Sequence, residues 1–266
     1  PTRPENMEQL GAAVKETNAE FGIGIDGDGD RIGVVDENGK FVHPDRLIAL
    51  FANDILDGVV EDATFEARSI VYDVKCSMSV EKAIVKADGI PVMARTGHSF
   101  MKQHLAEHPQ TLMAAEMSGH IFLADRGWYG FDDSLYNSAR LIELWSRQKA
   151  PSTGGKTFSE VLEDLAPALP TTGECKILCP EEAKQNIVDS IKSSYEELGN
   201  RISTVDGVRV RFEDGGEIGW FLVRCSNTEE VLIMRAEAIN EESLQLIKDS
   251  VTEVAGNLIG LENFLE

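Results

Sequence analysis

Residues 69–94 read SIVYDVKCSMSVEKAIVKADGIPVMA. The opening Ser69-Ile70-Val71-Tyr72-Asp73-Val74 predicts a strand, rich in β-branched and aromatic side chains. Ser79 predicts the cap of a helix through Lys86, Gly89 its end, and residues 90–94 a second strand. Outward from this stretch the alternation continues. Helices are predicted over 47–56 and 99–108, a strand over 111–115, and a long helix opened by Asp132 and Asp133, with Leu135, Ala139, Ile142 and Leu144 facing inward. Strands alternating with helices imply a mainly parallel sheet covered on both faces.

Towards the N-terminus, residues 4–18 predict a helix, with Met7, Leu10 and Val14 on one face. Strands follow at 21–25 and 32–35, and Asn38-Gly39 marks a hairpin turn before Phe41-Val42. Towards the C-terminus, a loop at 151–156 and a short helix over 158–165 lead to Pro167 and Pro170, a linker signal. Beyond it the order changes: strand 174–179, helix 181–198, strands at about 201–212, 219–225 and 231–238, and a final helix over 241–258. The expected fold class is α/β, a mixed, mainly parallel α/β domain followed by a smaller α+β C-terminal domain.

The chain has 266 residues, 42% hydrophobic and 27% charged, which is globular composition. Its 25 basic and 46 acidic residues leave a net charge of −21, a poor balance for nucleic acid or an anionic membrane surface. An anionic ligand must therefore meet a local basic spot. No apolar run approaches the roughly 20 residues of a membrane span. Cys175 and Cys179, four apart in a predicted strand, lie about 13 Å apart, too far for a disulfide. Reduced thiols and a cytoplasmic location are expected. The chain opens Pro1-Thr2-Arg3-Pro4 and its first methionine is Met7, which reads as a fragment, a processed product or a trimmed piece.

Three stretches carry chemistry. In Asp26-Gly27-Asp28-Gly29-Asp30 the glycines let three carboxylates converge, and oxygen-only ligands suit a hard cation, Mg²⁺ or Ca²⁺; the plainer alternative is a solvated acidic turn. A Ca²⁺-binding EF-hand would place glycine where Arg31 stands and an exiting helix where Asn38-Gly39 turns the chain. Arg95-Thr96-Gly97-His98-Ser99 and Glu116-Met117-Ser118-Gly119-His120 follow strands, where α/β sheets bind ligands, and a carboxylate such as Glu116 accepts hydrogen bonds from sugar hydroxyls. Arg224-Cys225-Ser226-Asn227-Thr228, with Arg235 on the next strand, offers guanidinium forks and neutral donors to a phosphate; a capped turn with structural arginines is the alternative.

The order DGDGD, TGHS, EMSGH and RxSNT, with Tyr72-Asp73-Val74-Lys75-Cys76 and Gly130-Phe131-Asp132-Asp133 between, resembles the α-D-phosphohexomutase family over essentially the whole chain, most closely its bacterial phosphomannomutase/phosphoglucomutase branch. The resemblance implies the end of that family's domain 2 in residues 1–40, domain 3 in 41–168 and domain 4 in 169–266. It implies Asp26, Asp28 and Asp30 as Mg²⁺ ligands, Arg31, Lys75 and His98 as catalytic-site residues, and Glu116 and Ser118 as sugar-hydroxyl contacts. Arg224, Ser226, Asn227, Thr228 and Arg235 match the site for the phosphate that is not transferred. Ala115 stands where relatives usually have glycine, Glu230 where many have proline and Arg95 where lysine is common, and Met117 matches the mannose/glucose form.

The implied activity interconverts 1-phospho and 6-phospho sugars through a phosphoserine and a bisphosphorylated intermediate. No TxSGNP-type serine loop occurs in these residues, so the chain alone is expected to be inactive, its partners being hexose phosphates and the missing N-terminal domains of the same protein. The alternative is a non-catalytic sugar-phosphate-binding or Ca²⁺-binding protein.

Overall fold

The computed structural model describes residues 1–59, 63–148, 155–256 and 264. The chain divides into two units, Pro1–Ala168 and Leu169–Glu266.

In the first unit the deciding stretch folds as strand, helix, strand. β4 (Ser69–Asp73) and β5 (Ile90–Ala94) run parallel, Ser69 opposite Ile90, with α3 (Met78–Lys86) between them in sequence. β6 (Met113–Ala115) lies parallel on the other side of β4, and β7 (Ile121–Leu123) returns antiparallel, giving the order β5-β4-β6-β7. Both faces are covered. Ile70, Tyr72, Met113, Ala115, Ile121 and Leu123 join one core with residues of α2 (Pro44–Asp57) and α5 (Ser134–Gln148). The intervening Val71, Ala114 and Phe122 pack on Met101 of α4 (His98–Glu107). That two-sided burial is why these strands read as apolar runs with no alternation.

A separate antiparallel sheet, β1-β2-β3 (Phe21–Ile25, Ile32–Asp36, Phe41–Val42), precedes it. The pairing Ile25↔Ile32 closes the β1–β2 hairpin directly under the aspartate loop. α1 (Glu8–Thr17) supplies Val14, which packs with Met7 against Val35. Phe21 stacks on Phe158 of α6 (Phe158–Leu165) at 5.0 Å, tying the hairpin sheet to the rest of the unit.

Several local expectations need correction. Ser77, not Ser79, caps α3, its side chain accepting from the Ser79 amide, while Ser79 Oγ donates to the Pro167 carbonyl. The helix ends through Asp88 at φ 59°, one residue before Gly89. In α5 the buried residues are Ser134, Asn137, Arg140, Leu141, Leu144 and Trp145, whereas Leu135, Ala139 and Ile142 are exposed. Arg140 sits inward because Asp125 binds it with two hydrogen bonds of 2.6 and 2.8 Å. Strand β7 was not expected. Most of the loop expected at 151–156 lies outside the described residues, as do residues 257 and 258 of the final helix.

The second unit is one antiparallel sheet, β8-β12-β11-β10-β9, with α7 (Glu181–Glu197) and α8 (Glu241–Ala255) packed on it. Its strands are β8 (Cys175–Leu178), β9 (Arg201–Ser203), β10 (Val208–Glu213), β11 (Glu217–Cys225) and β12 (Val231–Ala238). The single strand expected over 201–212 is thus two, paired Val210↔Ile202 around a turn at Asp206-Gly207. Gly207 has φ 73°, and a Cβ there would lie 2.3 Å from the Val223 carbonyl oxygen. Val208, Val210, Phe221, Val223, Leu232 and Met234 point into the core with Val188, Ile191 and Tyr195 of α7. Fully burying each such side chain contributes about 1.5–3 kcal/mol. The four cysteines are free thiols.

Candidate functional site

The aspartate loop joins two antiparallel strands, so helix–loop–helix Ca²⁺ geometry does not apply. Asp26, Asp28 and Asp30 bring carboxylate oxygens within 4.8 Å of one another. Asp26 Oδ1 accepts the Asp30 and Arg31 amides, both at 3.1 Å, and Arg31 Nε donates to Asp26 Oδ2 at 2.6 Å. Burial works to raise the Asp26 carboxyl, but the Arg31 amide and side chain outweigh it and hold Asp26 well below the usual carboxylate range. Asp30 is the opposite: burial raises it, with His120 pulling the other way and Asp26 and Asp28 adding repulsion. Its Oδ1 is buried and has no hydrogen-bond donor, with Arg31 Nε 3.4 Å away. An all-oxygen donor set with one orphaned carboxylate oxygen fits a hard cation.

The sugar-loop candidates are brought to the same place. An isolated antiparallel bridge, Arg31↔His120, sets the aspartate loop beside the turn at 116–120. That turn is closed by Gly119 N–H to Glu116 O at 3.0 Å. Gly119 has φ 89°, and a Cβ there would meet Ile32 O at 3.1 Å, so glycine is what lets the two loops touch.

Glu116 is buried, and its Oε1 accepts the Gly97 amide at 2.6 Å. The TGHS and EMSGH motifs therefore meet. Burial, and next the nearby Asp73, push the Glu116 carboxyl up to about 7, against the Gly97 amide and Lys75. Ser118 is half-buried in the same turn, and Lys75 half-buried close enough to act on Glu116. His98, exposed at the first position of α4, stacks on His120 with ring centroids 5.4 Å apart.

Four contributors had no assigned role in the sequence reading. His120 Nδ1 lies 3.1 Å from Asp132 Oδ2 and 3.6 Å from Asp30 Oδ2, and Lys102 Nζ lies 2.9 Å from Asp132 Oδ1. Burial lowers the His120 imidazole, against the pull of Asp30 and Asp132. Buried Asp73 accepts the Met117 amide at 3.2 Å and the Thr96 hydroxyl at 3.3 Å, so it pins both sugar-side loops. His120 stood inside a quoted motif, and Asp132 and Asp73 inside others, but nothing in the spacing assigned them these partners.

In the second unit, Ser226, Asn227 and Thr228 form the turn between β11 and β12, closed by Ser226 N–H to Val231 O at 3.1 Å. Ser226 Oγ accepts the Thr228 and Glu229 amides, and Asn227 and Thr228 are exposed. Arg224 is 3% exposed, and its Nε donates to Asp206 Oδ2 at 2.9 Å. Arg235, on the same sheet face, lies 5.7 Å from the Trp220 ring centre and 3.9 Å from Glu237, with its Nε buried and without a hydrogen-bond partner. Arg224 and Arg235 thus share one face of the sheet, Arg235 in the middle of β12 opposite Leu222, and Ser226, Asn227 and Thr228 lie in the turn that follows β11.

Comparison with known proteins matches this arrangement along the chain. Profiles of the phosphoglucomutase/phosphomannomutase family match residues 1–39 (alpha/beta/alpha domain II), 43–169 (alpha/beta/alpha domain III) and 174–254 (C-terminal domain). The phosphomannomutase/phosphoglucomutase of Pseudomonas putida is 41% identical over 94% of this chain and 50% of its own length. The phosphoglucomutase of Neisseria meningitidis serogroup A is 38% identical over 97% of this chain and 53% of its own. A crystal structure of a family protein from Burkholderia thailandensis superposes with TM-score 0.80 at 35% identity, covering 96% of this chain and 51% of that one. The chain spans about half the length of these relatives. With three successive domain profiles in order and the motif residues seated in them, the chain belongs to the phosphoglucomutase/phosphomannomutase family, the α-D-phosphohexomutases.

Proposed function

We propose that the chain is part of a cytoplasmic phosphohexose mutase that interconverts the 1- and 6-phosphates of glucose or mannose. Residues 1–40 are the end of its domain 2, 41–168 its domain 3 and 169–266 its domain 4. The observation that best supports this is the meeting, within one unit, of the aspartate loop, the His120–Asp132 pair and Glu116.

Asp26, Asp28 and Asp30 are the residues to hold Mg²⁺, which when bound supplies charge neutralisation at the transferring phosphoryl group. Glu116 and Ser118 grip sugar hydroxyls, and a carboxyl near 7 serves as donor or acceptor as the sugar turns over. His120, its Nδ1 fixed by Asp132, presents Nε2 to take a proton from the attacking hydroxyl, with His98 stacked behind it. Arg31 anchors Asp26, and Lys75 acts on Glu116. Ser226, Asn227, Thr228, Arg224 and Arg235 hold the phosphate that is not transferred. The serine that carries the phosphoryl group is not among the 266 residues, so these residues alone do not turn over.

The test is a fusion in which the half of the Pseudomonas putida relative that this chain does not span precedes Pro1. The fusion should convert glucose 1-phosphate to glucose 6-phosphate, Asp28→Asn should suppress it, and the 266-residue chain alone should do nothing. A folded fusion that binds glucose 6-phosphate without turnover, or a chain active alone, overturns the reading.

A further inference from the structure

The buried stripe of α7 is Lys184, Val188, Ile191 and Tyr195. Three of these fill the core; the first carries a charge and is only 2% exposed. A leucine or methionine would continue the stripe without the desolvation cost of an ammonium. The structure shows what the lysine holds. Lys184 Nζ donates to the Ser226 carbonyl at 2.9 Å and to the Glu229 carbonyl at 3.0 Å, the two ends of the turn between β11 and β12. Its carboxylate partner, Glu181, is exposed.

A planar trans peptide points its carbonyl and the next N–H in opposite directions. Drawing the Ser226 carbonyl inward therefore turns the Asn227 amide outward. Drawing the Glu229 carbonyl inward does the same for the Glu230 amide. The ammonium also keeps two carbonyl oxygens from facing an incoming anion, which they would repel.

We propose that Lys184 is the positioning residue of the phosphate-binding turn, holding the Ser226 and Glu229 carbonyls inward so that the Asn227 and Glu230 amides and the exposed Asn227 and Thr228 side chains face the anion. The inference rests on the reading of residues 224–228 as a phosphate site, and the experiment separates the two. The 266-residue chain, Lys184→Met, Lys184→Arg and Arg224→Ala are titrated with inorganic phosphate and with glucose 6-phosphate, following amide shifts and amide exchange by NMR.

In the parent, both ligands should shift Asn227 and Thr228. Lys184→Met should bind both about tenfold more weakly, the loss expected for charge-assisted hydrogen bonds. Its Thr228 and Glu229 amides should exchange faster, while its salt dependence, set by the arginines, persists. Lys184→Arg should recover affinity to within about threefold, and Arg224→Ala should flatten the salt dependence. Should Lys184→Met not fold, Lys184→Gln, which keeps a neutral donor, carries the test with an expected loss of about threefold. Parental affinity in the Lys184 variants overturns the positioning role while leaving the phosphate reading intact. A parent whose 224–228 amides ignore both ligands overturns the phosphate reading, and faster exchange in Lys184→Met would then mark the lysine as purely structural.

Discussion

The two candidate sites handle charge in opposite ways. In the first unit, like charges are gathered and only partly resolved: three aspartates converge, Arg31 pairs with Asp26, Asp30 keeps an orphaned oxygen, and Glu116 lies buried near Asp73. In the second, cations are gathered and most are already held: Arg224 by Asp206, and Lys184 by two carbonyls and Glu181, while Arg235 Nε has no hydrogen-bond partner. The first arrangement gains from a cation arriving. The second is built to stay rigid whether or not an anion is present, leaving amides and hydroxyls as the adjustable contacts. A catalytic end needs groups whose protonation and ligation change, whereas an anchoring end needs a fixed shape.

The sharpest way to break this contrast is to unbalance the second site. Asp206→Ala leaves the Arg224 guanidinium buried beside no carboxylate at that position, and breaking a buried pair costs about 3–5 kcal/mol. Chemical denaturation should show that loss in the second unit, and millimolar phosphate should recover part of it. If the variant is as stable as the parent, Arg224 is not held in the way described.

Next in size is pH. Glu116 has a folded-state pKa of about 7, raised above its ordinary 4.5, so the fold favours its neutral form. Stability from this group is then fully present below about pH 4.5, falls as pH rises towards 7, and levels off above it. The whole change is at most about 3 kcal/mol. Glu116→Gln should flatten the decline in denaturant midpoint between pH 5 and 7 (roughly the window of the shift); an unchanged slope would assign it elsewhere.

Smallest is the response to a cation. Mg²⁺ at about a hundred times its dissociation constant should stabilise the native state by about 2.7 kcal/mol. Hydrogen exchange should place the added protection around the β1–β2 hairpin and the turn at 116–120, with none at Ser226–Glu229. Asp28→Asn should reduce it. Protection spread evenly over both units would erase the distinction between them.

What the sequence disclosed follows the same line. The parallel core was legible because its strands are apolar runs bounded by caps and glycines, and the loops because acid and glycine alternate in them. The reading failed where partners are remote. Asp206 lies 18 residues from Arg224 and Lys184 lies 42 from Ser226, and no local pattern joins either pair. Lys184 did leave a trace, a lysine at an apolar position of a helical stripe. Leu135 and Ile142 misled for the opposite reason. They are apolar, but Asp125 had claimed Arg140 and so set which side of α5 turns inward. The division of residues 201–212 was hidden because β9, the strand before Asp206-Gly207, has only 3 residues.

The contact of Gly119 with Ile32 and the bridge Arg31↔His120 have a thermodynamic consequence. A side chain at Gly119 would press on the Thr2 side chain and the Ile32 carbonyl, so a shift of one loop is felt by the other across their boundary. If the turn carrying Glu116 and His120 binds sugar as proposed, whatever factor a cation on Asp30 imposes on that affinity the sugar must return to the cation, because coupling free energy has no direction. Metal affinity measured with and without a hexose is therefore a gauge of how stiffly that boundary is built.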